Sequence, residues 1–367
     1  MNVTIVTATT GGGHNCTTKA LTERFGELGV NTKVLDMYRC CGPGAYRFME
    51  RGYLFAARRM KRGYRIVYGM LERSAELRRV AATAVRQPHA ADCLLASMSD
   101  TDVIISAHPF AAHALDLLKK RGDLTVPVLA LVTDYCVQPF IEDSTSLEAI
   151  SFASPLLLSD AEAKGVGHAL ALGLPVRREF AERRTKAEAR RALGISEERA
   201  TVLVMGGSMG YGNICSTVEG LLGRGVQVIC ICGNNEALRR RIARLGGALL
   251  PLGYTEDVAL CMDAADLIVT KPGGLTVTEL MVKGLPAVLS ASIPGQEERN
   301  SDFLVKNGGA LRPAPSELVR EAAALLADPG RLAEMSRSLA ALAMPDACAD
   351  ICSLAISLAQ RRRTQAE

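Results

Sequence analysis

The sequence predicts an α/β protein built from two doubly wound parallel sheets, each in its own domain. Three observations lead there. Short, nearly continuous apolar runs alternate with helix-length segments, and they do so in two separate series. Runs without polar–apolar alternation belong in sheets buried on both faces. A glycine-rich turn follows the first strand of each series, "TGGGHN" (10–15) and "GGSMGYGN" (206–213). A strand, then glycines, then a helix start is the geometry in which backbone N–H groups grip a phosphate or diphosphate. The second turn does not have the spacing G-x-G-x-x-G, which disfavours a nicotinamide or flavin site.

The first series comprises "NVTIVTA" (2–8), "TKVLDM" (32–37), "DVIISA" (102–107), "PVLALVTD" (127–134) and "AISFAS" (149–154), with helical segments such as Thr18–Leu28 and Ala111–Arg121 between them. The second comprises "TVLVMGG" (201–207), "VQVICICG" (226–233), "ADLIVTK" (265–271) and "PAVLSA" (286–291). The charge-rich stretch 175–200 separates them, and past Pro315 the pattern is helical. This divides the chain into an N-terminal domain at 1–180, a linker at 181–198, a C-terminal domain at 199–345, and a helix at 346–367 that packs back on the N-terminal domain.

Composition narrows the function. With 48% hydrophobic residues the 367-residue chain can fill two sizeable cores. Net charge is only +4, and the absence of Trp with few other aromatics argues against a single-stranded nucleic-acid platform. The 11 cysteines include no C-x-x-C pair and read as reduced core residues. The N-terminus enters a strand without a signal-peptide pattern, and no run reaches the roughly 18 apolar residues of a membrane span. The expected location is therefore cytoplasmic, with membrane contact peripheral. The charge is concentrated in 39–86, where 12 Arg or Lys face 3 Glu. As one helix, 45–62 would gather Arg47, Arg51, Arg58 and Arg62 within about 60°, a basic amphipathic face suited to an anionic membrane.

Candidate chemistry sits at strand ends. His14 falls at a helix start, where unpaired N–H groups and the helix dipole favour the neutral imidazole, suiting a general base. Asp134 ends a buried strand in "VTDY", where ligands of open α/β sheets bind. In "KPGGLTVTELMVKGLPAV" (271–288), Gly273, Gly274 and Thr276 form a turn, and Glu279 follows one or two helical turns on, placed to chelate ribose hydroxyls. Gln296, Glu297 and Asn300 in "IPGQEERN" are a polar run able to read sugar hydroxyls. The D-x-D of "SDTDV" (99–103) lies in a turn, where Asp is routine, and His108 reads as a packed turn residue. No metal site is expected.

With "GGGHNCTTKAL", "VTDY", "LGLPVRREF", "GGSMGYGN", "TEDVALCMDAADLIVTKPGGLTVTE" and "PGQEERN" in place, the chain resembles a family-28 glycosyltransferase with the two-domain GT-B fold. It is most similar to the monogalactosyldiacylglycerol synthases and bacterial diacylglycerol glucosyltransferases, and more distantly to MurG. The resemblance spans nearly the whole chain and implies two Rossmann-like domains facing across a cleft. It implies that Gly207, Ser208, Met209 and Gly210 lie against the diphosphate of a UDP-sugar, with Glu279 on the ribose. Gln296 and Asn300 would contact the donor sugar or its phosphates, and His14 would lie at the acceptor.

The reaction so implied is an inverting hexosyl transfer from UDP-glucose or UDP-galactose to diacylglycerol, with no metal and no cofactor. Asp134, helped by His14, is the expected base, and the basic 39–86 segment meets the anionic membrane. The chain departs from the lipid transferases after "TD": where they carry His and then Trp, it has Gln138 and Phe140. Alternatives are another acceptor, a UDP-sugar 2-epimerase, or a non-catalytic UDP-sugar sensor.

Overall fold

The computed structural model describes residues 1–8, 12–40, 61–74, 76–78, 88–207, 213–290 and 292–366, without the side chains of 12–15, 61, 62, 64, 88–90, 365 and 366. The helix expected over 45–62 and the turn residues Ser208, Met209 and Gly210 therefore lie outside the described residues or side chains. The chain forms two compact units. One comprises Met1–Arg177, Ile293–Gln296 and Met344–Glu367, and the other Arg178–Ser292 and Glu297–Ala343.

The first unit holds a six-stranded parallel sheet of order β2-β1-β3-β4-β5-β6. Its strands are β1 (Asn2–Thr7), β2 (Asn31–Asp36), β3 (Val103–Ser106), β4 (Val128–Leu131), β5 (Ala149–Phe152) and β6 (Ala169–Ala171). The second unit holds another, of order β12-β11-β10-β7-β8-β9. These are β7 (Thr201–Met205), β8 (Gln227–Ile231), β9 (Leu249–Leu252), β10 (Leu267–Thr270), β11 (Ala287–Leu289) and β12 (Ala310–Leu311). β3, β4, β5, β7, β8, β10 and β11 are buried throughout, which is why their sequences are continuous apolar runs. β6, β9 and β12 were not expected as strands. Each is a sheet edge of only two to four residues with incomplete burial, too short to stand out as a run.

Among the described residues one stretch, Pro329–Thr364, contains an 18-residue window of mean hydropathy 1.6, apolar and long enough to cross a membrane by length and composition. This differs from the expectation that no run is long enough. The stretch is two helices, Pro329–Leu342 and Ala347–Ala366, parted at Met344–Pro345, where proline removes an N–H and restricts the residue before it. The second helix lays Ile351, Cys352, Ala355 and Ala359 on the first unit's core beside Val3, Ile5, Phe25 and Val103. Its end is fixed by Arg363 donating to both Asp102 oxygens at 2.9 Å. Asp102 also accepts from the Asn2 amide at 2.8 Å, so the second acid of the D-x-D ties the first strand to the last helix.

The linker stretch is part of the second unit and is held there by a partly buried charge cluster. Arg190 and Lys186 donate to Asp266 at 2.7 and 2.5 Å, and the Thr201 amide donates at 2.8 Å. Burial pushes the Asp266 carboxyl up, but these hydrogen bonds and the two positive charges outweigh it and hold it below the usual carboxylate range. Lys283, 1% exposed, donates to Asp263 and to the Glu182 and Glu179 carbonyls. Asp266→Asn should cost about 3 kcal/mol, since it leaves the buried Arg190 without its carboxylate. The Asp266 contribution is present above its ordinary titration near pH 3.8 and is lost as pH falls through the lowered folded value. Urea unfolding of both proteins at pH 7 and in acid should show the difference shrinking as pH falls.

Candidate active site

Each sheet contains one place where the strand order reverses. In the second unit, β7, β8 and β9 run outward one way, while β10, β11 and β12 run the other. The crevice beyond the carboxyl ends of β7 and β10 is where an open α/β sheet binds its ligand. Met205 and Thr270 are paired across those two strands, so Gly206–Gly207 and Lys271 leave the sheet side by side.

The residues at this reversal pack closely. Gly207 has φ +73°, a left-handed conformation that favours glycine. A Cβ at Gly207 would come within 2.7 Å of Lys271 Cε, so the lysine stem fills the space that a side chain would need. Lys271 Nζ lies 3.6 Å from the position a Gly273 Cβ would occupy and forms an ion pair with Glu297, which is 6% exposed. Gly273 precedes the helix Gly274–Lys283, whose first-turn residue Thr276 approaches the same position at 4.0 Å. Asn300, fully buried in the helix Gln296–Lys306, donates from Nδ2 to the Pro272 carbonyl at 3.0 Å and ties that helix to the turn. The structure thus gathers Gly207, Gly273, Gly274, Thr276, Glu297 and Asn300 around Lys271. Glu279, 8% exposed, lies one turn beyond Thr276 on the same helix. Gln296, the first residue of its helix, is half-buried and groups with the first unit.

In the first unit the order reverses between β1 and β3. His14 is the third residue of the helix Gly12–Glu27 that follows β1, and its side chain lies outside the described ones. His108, at the end of β3, caps the helix Pro109–Lys120 by accepting the Phe110 amide on Nδ1 at 3.2 Å, and is 6% exposed. Asp134 follows β4, so β3 separates its strand from that of His14. Gln138 Nε2 donates to Asp134 Oδ2 at 2.5 Å within a buried environment. Phe140 adopts φ +75° and packs its ring 4.4 Å from Phe110 and 5.6 Å from His113.

Two participants were not singled out from the sequence. Lys271 stood inside "TKPGG" without a role, although a cation among glycines at a strand end is a signal. Arg78 was counted only among the surface cations of 39–86. It is 5% exposed and donates to both Asp143 oxygens at 2.6 and 3.3 Å, and to the Leu71 and Glu72 carbonyls. It also pairs with Glu142 at 3.2 Å, so it fastens the basic segment to the loop that follows Phe140.

Two doubly wound parallel sheets in this arrangement define the GT-B glycosyltransferase fold. Acinetobacter baumannii MurG shares it, with a TM-score of 0.65 at 19% identity over 97% of this chain and 99% of that one. Residues 14–165 match the monogalactosyldiacylglycerol (MGDG) synthase family, and residues 201–351 match the glycosyltransferase family 28 C-terminal domain. Monogalactosyldiacylglycerol synthase 1 of Arabidopsis thaliana is 31% identical over 94% of this chain and 68% of its own length. The processive diacylglycerol beta-glucosyltransferase of Bacillus licheniformis is 27% identical, over 93% and 91%. The chain belongs to the family-28 glycosyltransferases, in the group of the monogalactosyldiacylglycerol synthases, and is an enzyme of hexosyl transfer.

Gly207→Ala should lower stability by about 1–3 kcal/mol, combining a left-handed alanine with displacement of the Lys271 stem. Gly225→Ala is the control, because Gly225 has φ +75° with nothing within 4 Å of its Cβ position. Urea titrations should rank Gly207→Ala as the more damaging; equal losses would mean that the Lys271 contact carries no weight.

Proposed function

We propose that this enzyme transfers a hexose from UDP-glucose or UDP-galactose to diacylglycerol, with inversion at the anomeric carbon and without a metal ion or other cofactor. The observation that carries this reading is the convergence at the β7/β10 reversal of two glycine turns, the second held by Asn300, and the Lys271–Glu297 pair. The relatives' names support the acceptor, and since one names a galactosyl product and another glucosyl transfer, both donors stand. Among the described residues, no three His, Cys, Asp or Glu gather as a metal-binding set.

In this mechanism the acceptor hydroxyl attacks the anomeric carbon from the face opposite the diphosphate. Its proton passes to Asp134, oriented by Gln138 and aided by His14. The bond from the anomeric carbon to the phosphate oxygen breaks, and its electron pair stays on departing UDP. Backbone N–H groups of Gly207, Ser208, Met209 and Gly210, with the dipoles of the following helix and of Gly274–Lys283, stabilise that charge. Glu279 accepts the ribose hydroxyls, while Gln296, Glu297 and Asn300 read the sugar. Gln138 and Phe140 favour one second reading, an acceptor other than diacylglycerol.

The enzyme acts at the cytoplasmic face of the membrane as a peripheral protein, through the basic segment 39–86. Within it, the helix Lys61–Arg73 exposes Ile66, Val67 and Met70 at 62%, 56% and 48%. Residues 66 and 70 are one turn apart, as are 67 and 70, so the three share a face. A face of this kind enters the acyl boundary while neighbouring Arg and Lys meet anionic headgroups.

UDP release should require vesicles containing diacylglycerol and anionic lipid, with either UDP-glucose or UDP-galactose as the effective donor. Glu279→Ala should abolish it. Tight UDP binding without release in the presence of diacylglycerol would sink the acceptor assignment and leave the donor half standing. Replacing Ile66, Val67 and Met70 together by Ser should lower co-sedimentation with anionic vesicles about tenfold or more, given roughly 1.5 kcal/mol or more for each side chain fully buried. Undiminished co-sedimentation would remove this helix from the membrane contact.

A further inference from the structure

Lys271 does more than stand beside the glycine turns. Its stem crosses the space above Gly207, and its ammonium group lies near Gly273 and is held by Glu297. It thus touches the first phosphate-gripping turn, the second glycine turn and the sugar-reading helix. Its side chain is 23% exposed and that of Glu297 is 8% exposed, so the pair sits at the mouth of the crevice rather than deep in the core. An ammonium carries three N–H donors. Among the described residues Glu297 receives one of them, so Lys271 retains donors for a phosphate oxygen.

We propose that Lys271 is the cation of the donor site, donating to the diphosphate while holding the Glu297 carboxylate in its sugar-reading direction. This rests on the reading of the second unit as the UDP-sugar domain and assigns that site a charged group of its own. As the bond to the anomeric carbon breaks, negative charge collects on the diphosphate, and a positioned ammonium stabilises that charge more than it stabilises the intact donor. Lys271 is therefore a catalytic residue of the leaving-group side as well as a positioning residue for Glu297. The contact with Glu297 has a second consequence. The same ammonium serves phosphate and carboxylate, so correct seating of the diphosphate and correct aim of Glu297 at the sugar are linked through one side chain.

Calorimetric titration of the full chain with UDP and with uridine tests this directly, because uridine lacks the diphosphate. Lys271→Gln should weaken UDP binding about 10- to 100-fold, the range of a lost hydrogen bond to a charged group, and leave uridine binding unchanged. Unchanged uridine binding also shows that the variant is folded. Lys271→Arg should recover part of the loss, and Glu297→Gln should weaken UDP binding far less than Lys271→Gln does. In steady state Lys271→Gln should lower kcat more than it raises the donor KM. If Lys271→Gln weakened UDP and uridine equally, or if Glu297→Gln weakened UDP as much as Lys271→Gln, Lys271 would be a structural partner of Glu297 and the proposal would fall. If the unaltered chain bound neither UDP nor uridine, the donor reading itself would fail. That outcome is distinct from the other two.

Discussion

Parallel strands cannot be joined by tight turns, and this constraint places every functional group described above. Each strand must be reached by a crossover, and crossovers are right-handed, so a sheet that grows in both directions from one strand has a point where successive connections pass to opposite faces. Backbone leaving the two strands at that point diverges and opens a crevice. In the second unit the crevice lies between β7 and β10, and in the first between β1 and β3. The buried strands are therefore inseparable from the site. They hold Gly207 and Lys271 in register through Met205 and Thr270, and a slip of one residue would carry the lysine to the opposite face of the sheet.

The buried charges divide into two kinds by how fully they are satisfied. Lys283 has one carboxylate and two carbonyls around its ammonium, matching its three donors, and Asp266 accepts from two side chains and an amide. Such saturated groups stabilise the linker's attachment and leave nothing for a ligand. Lys271 has a single carboxylate among the described residues and greater exposure, at a strand end rather than beneath helices. Burial of an incompletely satisfied charge is costly, and its presence where a diphosphate would bring negative charge is what separates it from the structural pairs.

Legibility in the sequence followed burial. Strands covered on both faces announced themselves as apolar runs, so β1, β3, β4 and β5 of the first sheet and four of the second were read from sequence; β2, an exposed edge strand, was read from the short run around Val34 and Leu35. The edge strands β6, β9 and β12 escaped because each is short, Ala169–Ala171, Leu249–Leu252 and Ala310–Leu311, with Pro251 further breaking the strand pattern of β9. The glycine turns were legible because close approach leaves no substitute for glycine, as the space between Gly207 and Lys271 illustrates. The pairings were not. Lys271 and Glu297 are 26 positions apart and Arg78 and Asp143 are 65 apart, so only the folded topology brings them together.

In the first unit, the departure at Gln138 and Phe140 has a physical consequence. An imidazole beside Asp134 would exchange a proton near neutral pH, whereas the Gln138 amide only donates to Asp134 Oδ2 and fixes the direction of the carboxylate. Gln138 therefore adds no titrating group of its own beside Asp134. Phe140 accepts a left-handed backbone that costs roughly 1–2 kcal/mol for a non-glycine residue, offset by its packing on Phe110 and His113 and by the Ser144 hydroxyl donating to its carbonyl at 2.8 Å. The next residue but one is Glu142, and Glu142 and Asp143 together hold Arg78, which in turn reaches back to the carbonyls ending the helix Lys61–Arg73. A continuous line of contacts therefore runs from exposed Ile66, Val67 and Met70, through Arg78 and one short loop, to Asp134. Whatever orders that helix acts on the loop that leads, through Gln138, to the Asp134 carboxylate.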